Sequence, residues 1–431
     1  MRILLACEFY HPSVGGVQEV MRQLAEHFVA RGHGVTVATT YLPERRLREL
    51  NGVTIVEFKV TGNLVHGLSG DAESYRRYVL QSEYDLFMVK AAQQWTFDAL
   101  WPVLDRMRRP IVFVPCGFSG LYLPAYSQYF EEMPEVLRRF DQLIFYASDY
   151  RDINFARDWG LSDFTIMSNA ASEREFGVPA DPGFRGRHHV AEDAFVILTV
   201  GTFTGELKGH RELAEAFDLA TFQGRPAVLI LNGNVTPSLR GKRISVRILP
   251  NTVRRWARAV RTMCSRGRSA PNGAKEPIAS VVARMNRTAS AKQAMIVDLP
   301  RAELAQAYLN SDLFVLASNI EYSPLVLFEA AAAGLPFLTV PVGNAVEIAE
   351  WTGGGVVCPA PQDERGYTRV DPAVLADHIS RLAANPRLLD SLGREGHRRW
   401  SDQFTWDIVS DRYEALFTRL TEQNRKSDGD A

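Results

Sequence analysis

The first forty residues contain the pattern that decides the fold: the apolar run Ile3-Leu-Leu-Ala-Cys7, the loop Tyr10-His-Pro-Ser-Val-Gly-Gly16, a helical segment, and the run Val35-Thr-Val-Ala38. Short, continuous apolar runs are typical of parallel strands that are buried on both faces. The segment before the second run has apolar residues at helical spacing, at Val17, Met21, Leu24, Ala25 and Phe28. The sequence therefore predicts a strand, a helix and a strand in succession, which is the repeating unit of a parallel α/β sheet.

The same alternation continues along the chain in two blocks. In the first block the predicted strands are Val53–Phe58, Leu86–Val89, Ile111–Val114 and Leu143–Tyr146, with helical segments at 93–107 and 150–158. In the second block they are Phe195–Val200, Ala227–Leu231, Ala294–Val297, Leu313–Leu316, Pro336–Val340 and Val356–Cys358. Residues 172–193 are polar and contain several Gly and Pro, as is typical of a linker. The pattern predicts two Rossmann-like, doubly wound α/β domains, at 1–175 and 190–400.

The carboxy-terminal residues have a different pattern. An amphipathic helix is predicted at 401–421, and its apolar residues are Trp406, Ile408, Val409, Tyr413 and Leu416. Residues 422–431 are polar and are expected to be disordered.

The composition of the 431 residues excludes several classes of protein. A formal net charge of −1 argues against a nucleic-acid binder that is basic overall. The four cysteines (Cys7, Cys116, Cys264 and Cys358) form no CxxC pair, which argues against a zinc site or a disulfide scaffold. No run reaches the roughly 20 apolar residues that span a bilayer. We expect a cytoplasmic protein, attached at most to the inner face of a membrane.

One segment departs strongly from this neutral balance. Residues 235–292 contain fourteen Lys and Arg and a single acidic residue, Glu276. Within it Val253, Trp256, Val260 and Met263 form an apolar stripe flanked by arginines, a pattern that suits an anionic membrane surface. The stripe could equally pack on the second domain, with solvated arginines. Nucleic-acid binding is disfavoured because aromatic residues are scarce in the segment.

The pair Gly15-Gly16 stands between the first predicted strand and the first helix. A glycine pair there lets backbone amides approach an anion in front of the positive helix N-terminus. It could also be a tight turn that needs a positive φ. The pair is not a GxGxxG fingerprint, so a dinucleotide site is not indicated.

A pair of acids, in Glu321-Tyr-Ser-Pro-Leu-Val-Leu-Phe-Glu329, follows the predicted strand Leu313–Leu316. Pro324 is suited to the first turn of a helix, which places Glu321 in the loop and Glu329 two turns into the helix. Eight helical residues span about 12 Å, too far for two carboxylates that share a proton. The spacing suits a ligand held at two points, although a cap residue and a solvated helix residue would also fit.

The loop Gly201-Thr-Phe-Thr-Gly-Glu-Leu-Lys208-Gly209-His210 leaves the first strand of the second block. It ends where a helix begins. Lys208 is a suitable point charge for a phosphate, although a single loop Lys is usually solvated.

Taken together, these motifs resemble glycosyltransferase family 4. The resemblance rests on Gly15-Gly16, Lys208-Gly209, Asn169 before the linker, and Glu321 and Glu329 followed by Ala-Ala-Gly334-Leu-Pro336. Members of that family are retaining enzymes with the GT-B fold, in which two Rossmann-like domains face each other across a cleft. They use nucleotide-sugar donors without a metal, and the terminal helix crosses back to the first domain.

The resemblance implies a role for each motif. Glu329 would hold the donor ribose, and Glu321 would contact the hydroxyls of the donor sugar. Lys208 would neutralise the diphosphate, so Glu321 and Lys208 are the predicted catalytic residues. The other residues implied in donor binding are Gly15, Gly16, Gly201, Thr202, Ser323, Pro324 and Leu325. Pro324 has no N–H and would only shape the turn.

Two positions depart from the family pattern. Thr202 stands where an Arg is usual, six residues before the phosphate-binding Lys. Cys116, in Val114-Pro-Cys-Gly117, stands where the first domain often has a His. The first change removes a charge from the leaving-group site, and the second removes a contact to the donor sugar. The triplet Asp428-Gly-Asp430 is the Asp-x-Asp motif nearest a chain end, and we read it as incidental rather than as a metal site.

The implied function is transfer of a hexose from a nucleotide diphosphate to a glycan, in the biosynthesis of a cell-surface polysaccharide or glycolipid. No cofactor is expected, and the partners would be the donor, a glycan or lipid-linked acceptor and an anionic membrane. One alternative is a small soluble acceptor. A second, suggested by Thr202 and Cys116, is a protein that binds nucleotide sugars without catalysis.

Overall fold

The computed structural model describes residues 1–203, 207–233, 278–287 and 291–429. Its first sheet has eight strands in the order β10-β9-β8-β7-β1-β2-β4-β3, all parallel except the edge strand β3. Two further strands, β5 and β6, form a hairpin of their own. The strands are β1 (Arg2–Ala6), β2 (Gly34–Thr40), β3 (Glu49–Leu50), β4 (Val53–Phe58), β5 (Val60–Asn63), β6 (Gly67–Gly70), β7 (Leu86–Lys90), β8 (Ile111–Val114), β9 (Gln142–Phe145) and β10 (Phe164–Ile166).

The second sheet is entirely parallel, in the order β13-β12-β11-β14-β15-β16. Its strands are β11 (Phe195–Val200), β12 (Ala227–Asn232), β13 (Lys292–Val297), β14 (Leu313–Leu316), β15 (Phe337–Thr339) and β16 (Gly355–Val357). This order starts in the middle of the sheet, runs to one edge and then returns to the middle, which is the doubly wound arrangement of dinucleotide-binding folds. Two doubly wound parallel sheets are the α/β fold class that the sequence predicts.

Helices cover both faces of the sheets. They are α1 (Gly16–Ala30), α2 (Ala72–Gln81), α3 (Trp95–Asp98), α4 (Ser127–Leu137), α5 (Arg151–Asp158), α6 (Glu173–Phe176), α7 (Phe184–Arg187), α8 (His210–Leu219), α9 (Ile278–Met285), α10 (Arg301–Leu309), α11 (Leu325–Ala332), α12 (Ala345–Thr352), α13 (Pro372–Ala383), α14 (Pro386–Gln403) and α15 (Trp406–Gly429). The helix predicted at 93–107 is instead α3 followed by a 3₁₀ helix at Trp101–Arg106. Pro102 lacks the N–H of an α-helix interior, which explains the break.

The terminal helix α15 lies against α1 of the first domain. The chain passes between the domains at Phe404, whose carbonyl accepts a hydrogen bond from the amide of Ala171 at 3.1 Å. Trp406 and Phe417 are buried in one cluster with the apolar side of α1, and Phe417 packs on Phe28 with ring centroids 5.5 Å apart. Helix α15, which follows the second domain in the chain, therefore supplies part of the core of the first domain.

The predicted bounds of the terminal helix, 401–421, need correction. Residues 401–403 end the preceding helix α14, and α15 begins at Trp406 and continues to Gly429. The expectation of disorder from residue 422 is wrong for 422–429, which are helical. Glu422, Arg425 and Lys426 are good helix formers, so the helix continues beyond its last buried residues.

Ion pairs hold α15 in place beside its apolar contacts. Arg31, at the end of α1, pairs with Asp411 at 2.7 Å and with Glu414 at 3.4 Å. The buried His27 lies 3.1 Å from Glu173 and 3.7 Å from Asp407 through its Nε2 atom. Burial alone would raise the pKa of Glu173, but the hydrogen bond with His27 and those from backbone amides together lower this pKa below its ordinary value.

Most of the basic segment predicted at 235–292 lies outside the described residues, including its apolar stripe at 253–263. Within the described part, Val281, Val282 and Met285 of α9 are buried in the second domain. Among the described helices, none has the length and apolar character needed to span a bilayer.

The packing of α15 predicts that Phe417→Ala lowers the free energy of unfolding by about 3–5 kcal/mol, because it opens a cavity against Phe28. The exposed Glu422, on the same helix, is the matched control, and Glu422→Ala is expected to change stability by less than about 0.5 kcal/mol. Urea unfolding of both variants checks the expectation. Equal effects of the two substitutions would contradict the packing described here.

Candidate functional site

Two loops meet at the switch point of the second sheet, where the strand order reverses between the neighbours β11 and β14. In open α/β sheets, ligands bind beyond the carboxyl ends of the strands at such a point. Residues 201–203 and 207–209 follow β11 in the described part of the chain, and residues 317–324 follow β14. The amide of Asn319 donates to the carbonyl of Leu207 at 2.8 Å, so the two loops are directly joined.

Gly209 allows this close approach. Its φ is +61°, and a Cβ atom at this position would lie 1.7 Å from the carbonyl oxygen of Ala317. Any side chain would push the two loops apart, so the glycine is required by both conformation and space.

Lys208 and Glu321 lie at the centre of the joined loops. The Nζ atom of Lys208 lies 2.6 Å from Oε1 of Glu321, and both side chains are partly buried. The carbonyl of Glu321 also accepts a hydrogen bond from the hydroxyl of Tyr150, in the first domain, at 2.7 Å. The two predicted catalytic residues are therefore brought together, in a loop that also contacts the first domain.

Glu329 is buried on α11 and both of its carboxylate oxygens have a protein partner. The hydroxyl of Tyr308 donates to Oε2 at 2.9 Å, and Nη2 of Arg301 lies 2.6 Å from Oε1. Burial raises the pKa of Tyr308 well above its ordinary value, so it stays protonated and donates. The sequence predicts neither partner, because their spacing from Glu329 in the chain contains no signal of contact.

The turn between the two acids contains polar groups of Ser323 and of the start of α11. α11 begins after Pro324, so the amides of Leu325 and Val326 have no acceptor one turn earlier in the helix and carry the positive end of the helix dipole, while the amide of Leu327 donates to the carbonyl of Pro324 at 3.2 Å. The Oγ atom of Ser323 is buried and has no hydrogen-bond partner among the described residues. The backbone carbonyl of Ser323 accepts a hydrogen bond from Nδ2 of Asn169 at 3.0 Å, and this bond anchors the turn to the first domain.

The predicted glycine pair faces this turn from the first domain. Gly15 is extended, with φ of 174°, so a turn with positive φ is not what the pair forms. A Cβ atom on Gly16 would lie 3.9 Å from the side chain of Leu325. The start of α1 and the start of α11 therefore approach each other across the cleft.

Gly201 and Thr202 lie at the base of the Lys208 loop. The amide of Gly201 donates to the carbonyl of Asn232 at 2.9 Å. A Cβ atom at Gly201 would lie 3.3 Å from Cγ of Lys208, which places this glycine directly behind the lysine. Thr202 occupies the next position in the loop.

Cys116 lies half-buried at the carboxyl end of β8, in the left-handed conformation with φ of +63°. Beside it is the fully buried Lys90, at the end of β7. Its Nζ atom hydrogen-bonds to the hydroxyl of Tyr146 and lies 4.0 Å from the centre of that ring. Burial lowers the pKa of Lys90, against a smaller opposing effect of Cys116. Lys90 is not among the site residues predicted from the sequence, although a lysine that ends an otherwise apolar strand is a detectable signal.

Tyr322 connects this cluster to the second domain. Its hydroxyl accepts a hydrogen bond from the amide of Tyr146 at 2.9 Å, and it also contacts the buried Asp152. Burial raises the pKa of Asp152 to about 6. Asn344 adds a second link, donating from Nδ2 to the carbonyl of Tyr146 at 2.6 Å. The residue after Glu321 therefore fixes the position of the loop against the first domain.

With this geometry established, the chain can be compared with known proteins. Residues 284–399 match the family model described as glycosyl transferases group 1. The structure is similar to the sucrose-phosphate synthase of Thermosynechococcus elongatus, with a TM-score of 0.70, 18% identity, and coverage of 98% of this chain and 99% of that chain. A comparison with curated protein sequences finds no match.

Two other solved structures show the same likeness. HepE of Anabaena, in complex with UDP and glucose, has a TM-score of 0.68 and 16% identity over 97% of this chain and 100% of that chain. WaaG, a glycosyltransferase involved in lipopolysaccharide biosynthesis, has a TM-score of 0.59 and 16% identity, covering 95% and 98%. The fold is GT-B, which confirms the fold class, and the matched family segment lies in the second domain.

The contact at Gly209 predicts that Gly209→Ala lowers the free energy of unfolding by at least about 2–3 kcal/mol, since backbone strain and the clash with Ala317 add. Gly224 is the matched control, because its φ is +78° but a Cβ there would meet nothing within 4 Å. Gly224→Ala is expected to cost only the conformational strain, about 1–2 kcal/mol. Thermal or urea unfolding compares the two variants, and an equal loss would show that the loops tolerate separation.

We expect the stability of the protein to depend on pH through His210, the first residue of α8. Burial lowers the pKa of its ring to about 4, against smaller opposing effects of the backbone at Thr202 and Gly201. Between pH 6.5 and pH 4 the unfolded chain therefore binds more protons at this ring than the folded chain. The contribution is present above pH 6.5 and is lost as the pH falls, by up to about 3 kcal/mol.

We expect His210→Gln to remove this part of the pH dependence. The difference in unfolding free energy between the wild type and the variant should then shrink as the pH is lowered from 7 to 4. Urea unfolding at a series of pH values measures it, and parallel curves would contradict the assignment.

Proposed function

We propose that the protein is a retaining glycosyltransferase that moves a hexose from a nucleotide diphosphate to a glycan acceptor. The observation that carries the proposal is the arrangement at the β11–β14 switch point. Lys208 and Glu321 lie 2.6 Å apart there, with Glu329 on the following helix and the amino end of α11 between the two acids. The family segment at 284–399 and the GT-B fold support the proposal.

The chemistry follows from the charges at the cleft. Breaking the bond between the sugar and the phosphate builds positive charge on the anomeric carbon and negative charge on the departing diphosphate. Lys208 and the first amides of α11 would stabilise that negative charge, and groups positioned in advance make the largest contribution to such catalysis. Lys208 is paired with Glu321, so donor binding would exchange this partner and leave Glu321 to accept hydrogen bonds from sugar hydroxyls.

Retention of the anomeric configuration fits an acceptor that attacks on the side of the leaving group. Its hydroxyl proton would then pass to an oxygen of the departing diphosphate, so no separate carboxylate base is required. The two domains would exclude water from the cleft, because water would otherwise hydrolyse the donor. Gly16 would bring the first domain up to the diphosphate, since it faces Leu325 without a side chain.

For the nucleotide, we propose that Glu329 binds the ribose. HepE is described in complex with UDP-glucose, and this structural likeness makes UDP the first nucleotide to test. For the acceptor, we propose a glycan or lipid-linked glycan at an anionic membrane, with the protein in the cytoplasm and attached peripherally through residues 235–292. The similar structure that favours such an acceptor is WaaG, which is involved in lipopolysaccharide biosynthesis.

A small soluble acceptor is the second candidate. The sucrose-phosphate synthase and a trehalose 6-phosphate synthase from Burkholderia multivorans, by their names, make small sugar phosphates. Deletion of residues 235–277 separates the two candidates: loss of transfer to a lipid-linked acceptor, with donor hydrolysis retained, would favour the membrane acceptor. Donor binding without transfer or hydrolysis would favour a silent binder, as the departures at Thr202 and Cys116 suggest.

The first experiment is a thermal-shift series with UDP, GDP, ADP and their hexose conjugates. A ligand at 100 times its dissociation constant stabilises the folded state by about 2.7 kcal/mol, which shifts the unfolding temperature measurably. Stabilisation by one nucleotide identifies the donor. No shift with any of them would contradict a nucleotide-sugar enzyme.

The two acids predict different kinetic defects. Glu329→Ala should weaken nucleotide binding by about 10–100-fold, the effect of losing hydrogen bonds to a charged group. Glu321→Ala should lower kcat by about 100-fold with a smaller change in KM, because it also disturbs Lys208 beside the developing charge. Glu364→Ala, an exposed acid of the same domain, is the control. Wild-type kinetics in both site variants would exclude this assignment.

A further inference from the structure

A chain of ion pairs leads from the buried Glu329 to the first domain. Arg301, at the start of α10, contacts Oε1 of Glu329 at 2.6 Å and Oε2 of Glu175 at 2.6 Å through the same Nη2 atom, and its Nε donates to Glu175 at 3.0 Å. Glu175 lies on α6, in the segment that joins the domains. Its other oxygen lies 3.9 Å from Nη2 of Arg22, on α1. The chain therefore contains groups from the first domain, the connection and the second domain.

The end of the chain at Glu329 has free capacity for a ligand. Each oxygen of an ionised carboxylate can accept about two hydrogen bonds. Tyr308 occupies one position on Oε2 and Arg301 one position on Oε1, so the described residues leave one position on each oxygen. Two parallel acceptor positions suit two adjacent hydroxyls, and Tyr308 and Arg301 together fix the plane in which they point.

The other end of the chain is also fixed. Arg22 pairs with Glu19 at 2.7 Å and with Glu26 at 3.1 Å on its own helix. That helix begins at Gly16, which faces Leu325 at the start of α11, the helix that carries Glu329. Because α6, which carries Glu175, packs against α11, a movement of α1 relative to α11 would change the distance from Arg22 to Glu175, and with it the contact of Glu175 with Arg301.

We propose that Arg301 is a positioning residue that orients the Glu329 carboxylate for the vicinal hydroxyls of the donor ribose, and that Glu175 and Arg22 couple this orientation to the position of the first domain. The inference rests on the proposed function, in which Glu329 binds the ribose. It adds that recognition of the ribose depends on a group outside the family motif and on contacts of the first domain.

The test measures discrimination between nucleotides that differ by one hydroxyl. The nucleoside diphosphate that stabilises the wild type is compared, by calorimetry, with its 2′-deoxy and 3′-deoxy analogues. We expect the wild type to prefer the ribose form by at least tenfold. Arg301→Gln should bind the ribose form about tenfold more weakly and the deoxy forms almost unchanged, so the preference disappears.

The coupling has its own variants. Glu175→Gln and Arg22→Gln do not touch Glu329, and each is expected to reduce the preference for ribose by about threefold. Arg187→Gln is the matched control. Arg187 pairs with Glu303, which lies on the same helix as Arg301, and the structure gives no ion pair between Arg187 and Glu329 among the described residues. It should keep the wild-type preference. If Arg301→Gln does not fold, Arg301→Lys retains the charge and should show a partial loss.

The outcomes separate this inference from the function on which it rests. Wild-type discrimination in Arg301→Gln would overturn the positioning role, and wild-type discrimination in both Glu175→Gln and Arg22→Gln would overturn the coupling. A wild type that binds the diphosphate but does not distinguish the deoxy analogues would overturn the inference while leaving a nucleotide site. A wild type that binds no nucleoside diphosphate would overturn the proposed function itself.

Discussion

The contact between two loops at the reversal of the second sheet is the constraint on which the candidate site depends. Gly209 lies so close to the carbonyl of Ala317 that no side chain fits, and the loops that follow β11 and β14 are thereby held together. Lys208 and Glu321 are adjacent for this reason, although 113 positions separate them in the chain. Buried parallel strands provide a rigid base for both loops, which is how a site on loops can still be well defined.

Each acid of the site has a basic partner within the protein. Glu321 pairs with Lys208, and Glu329 with Arg301, so the negative charge of both carboxylates is compensated by neighbouring side chains. Such pairing removes the cost of an unpaired buried carboxylate, which would otherwise be several kcal/mol. On the proposed function, the negative diphosphate of a donor would take Lys208 from Glu321, whereas Arg301 would stay on Glu329 and orient it for the ribose. Binding would therefore exchange the partner of one acid and keep the partner of the other.

The domains meet through specific polar contacts around this site. Tyr322 and Asn344 reach Tyr146 in the first domain, and the terminal helix adds Phe417 to the same core.

The sequence predicts the terminal amphipathic helix, but it does not predict that the helix continues to Gly429. The last turns of this helix are polar, so they have no apolar periodicity and form because their residues favour a helix. Likewise, residues 93–107 have a helical pattern, yet Pro102 divides them. The ends of these helices are therefore set by helix propensity and by proline, and not by apolar periodicity alone.

The sequence by itself determined the class of fold, the two blocks of strands, and the spacing of Glu321 and Glu329, because strand burial and helix periodicity are local properties of the chain. It also indicated Lys208 and Gly16 as residues near a bound anion. Only the tertiary structure decided that Arg301 and Tyr308 hold Glu329, and that Lys90 lies beside Cys116 and Tyr146. These contacts join elements far apart in the chain, and a single sequence contains no periodic signal for pairs that come together only when two separate sheets and their connections pack.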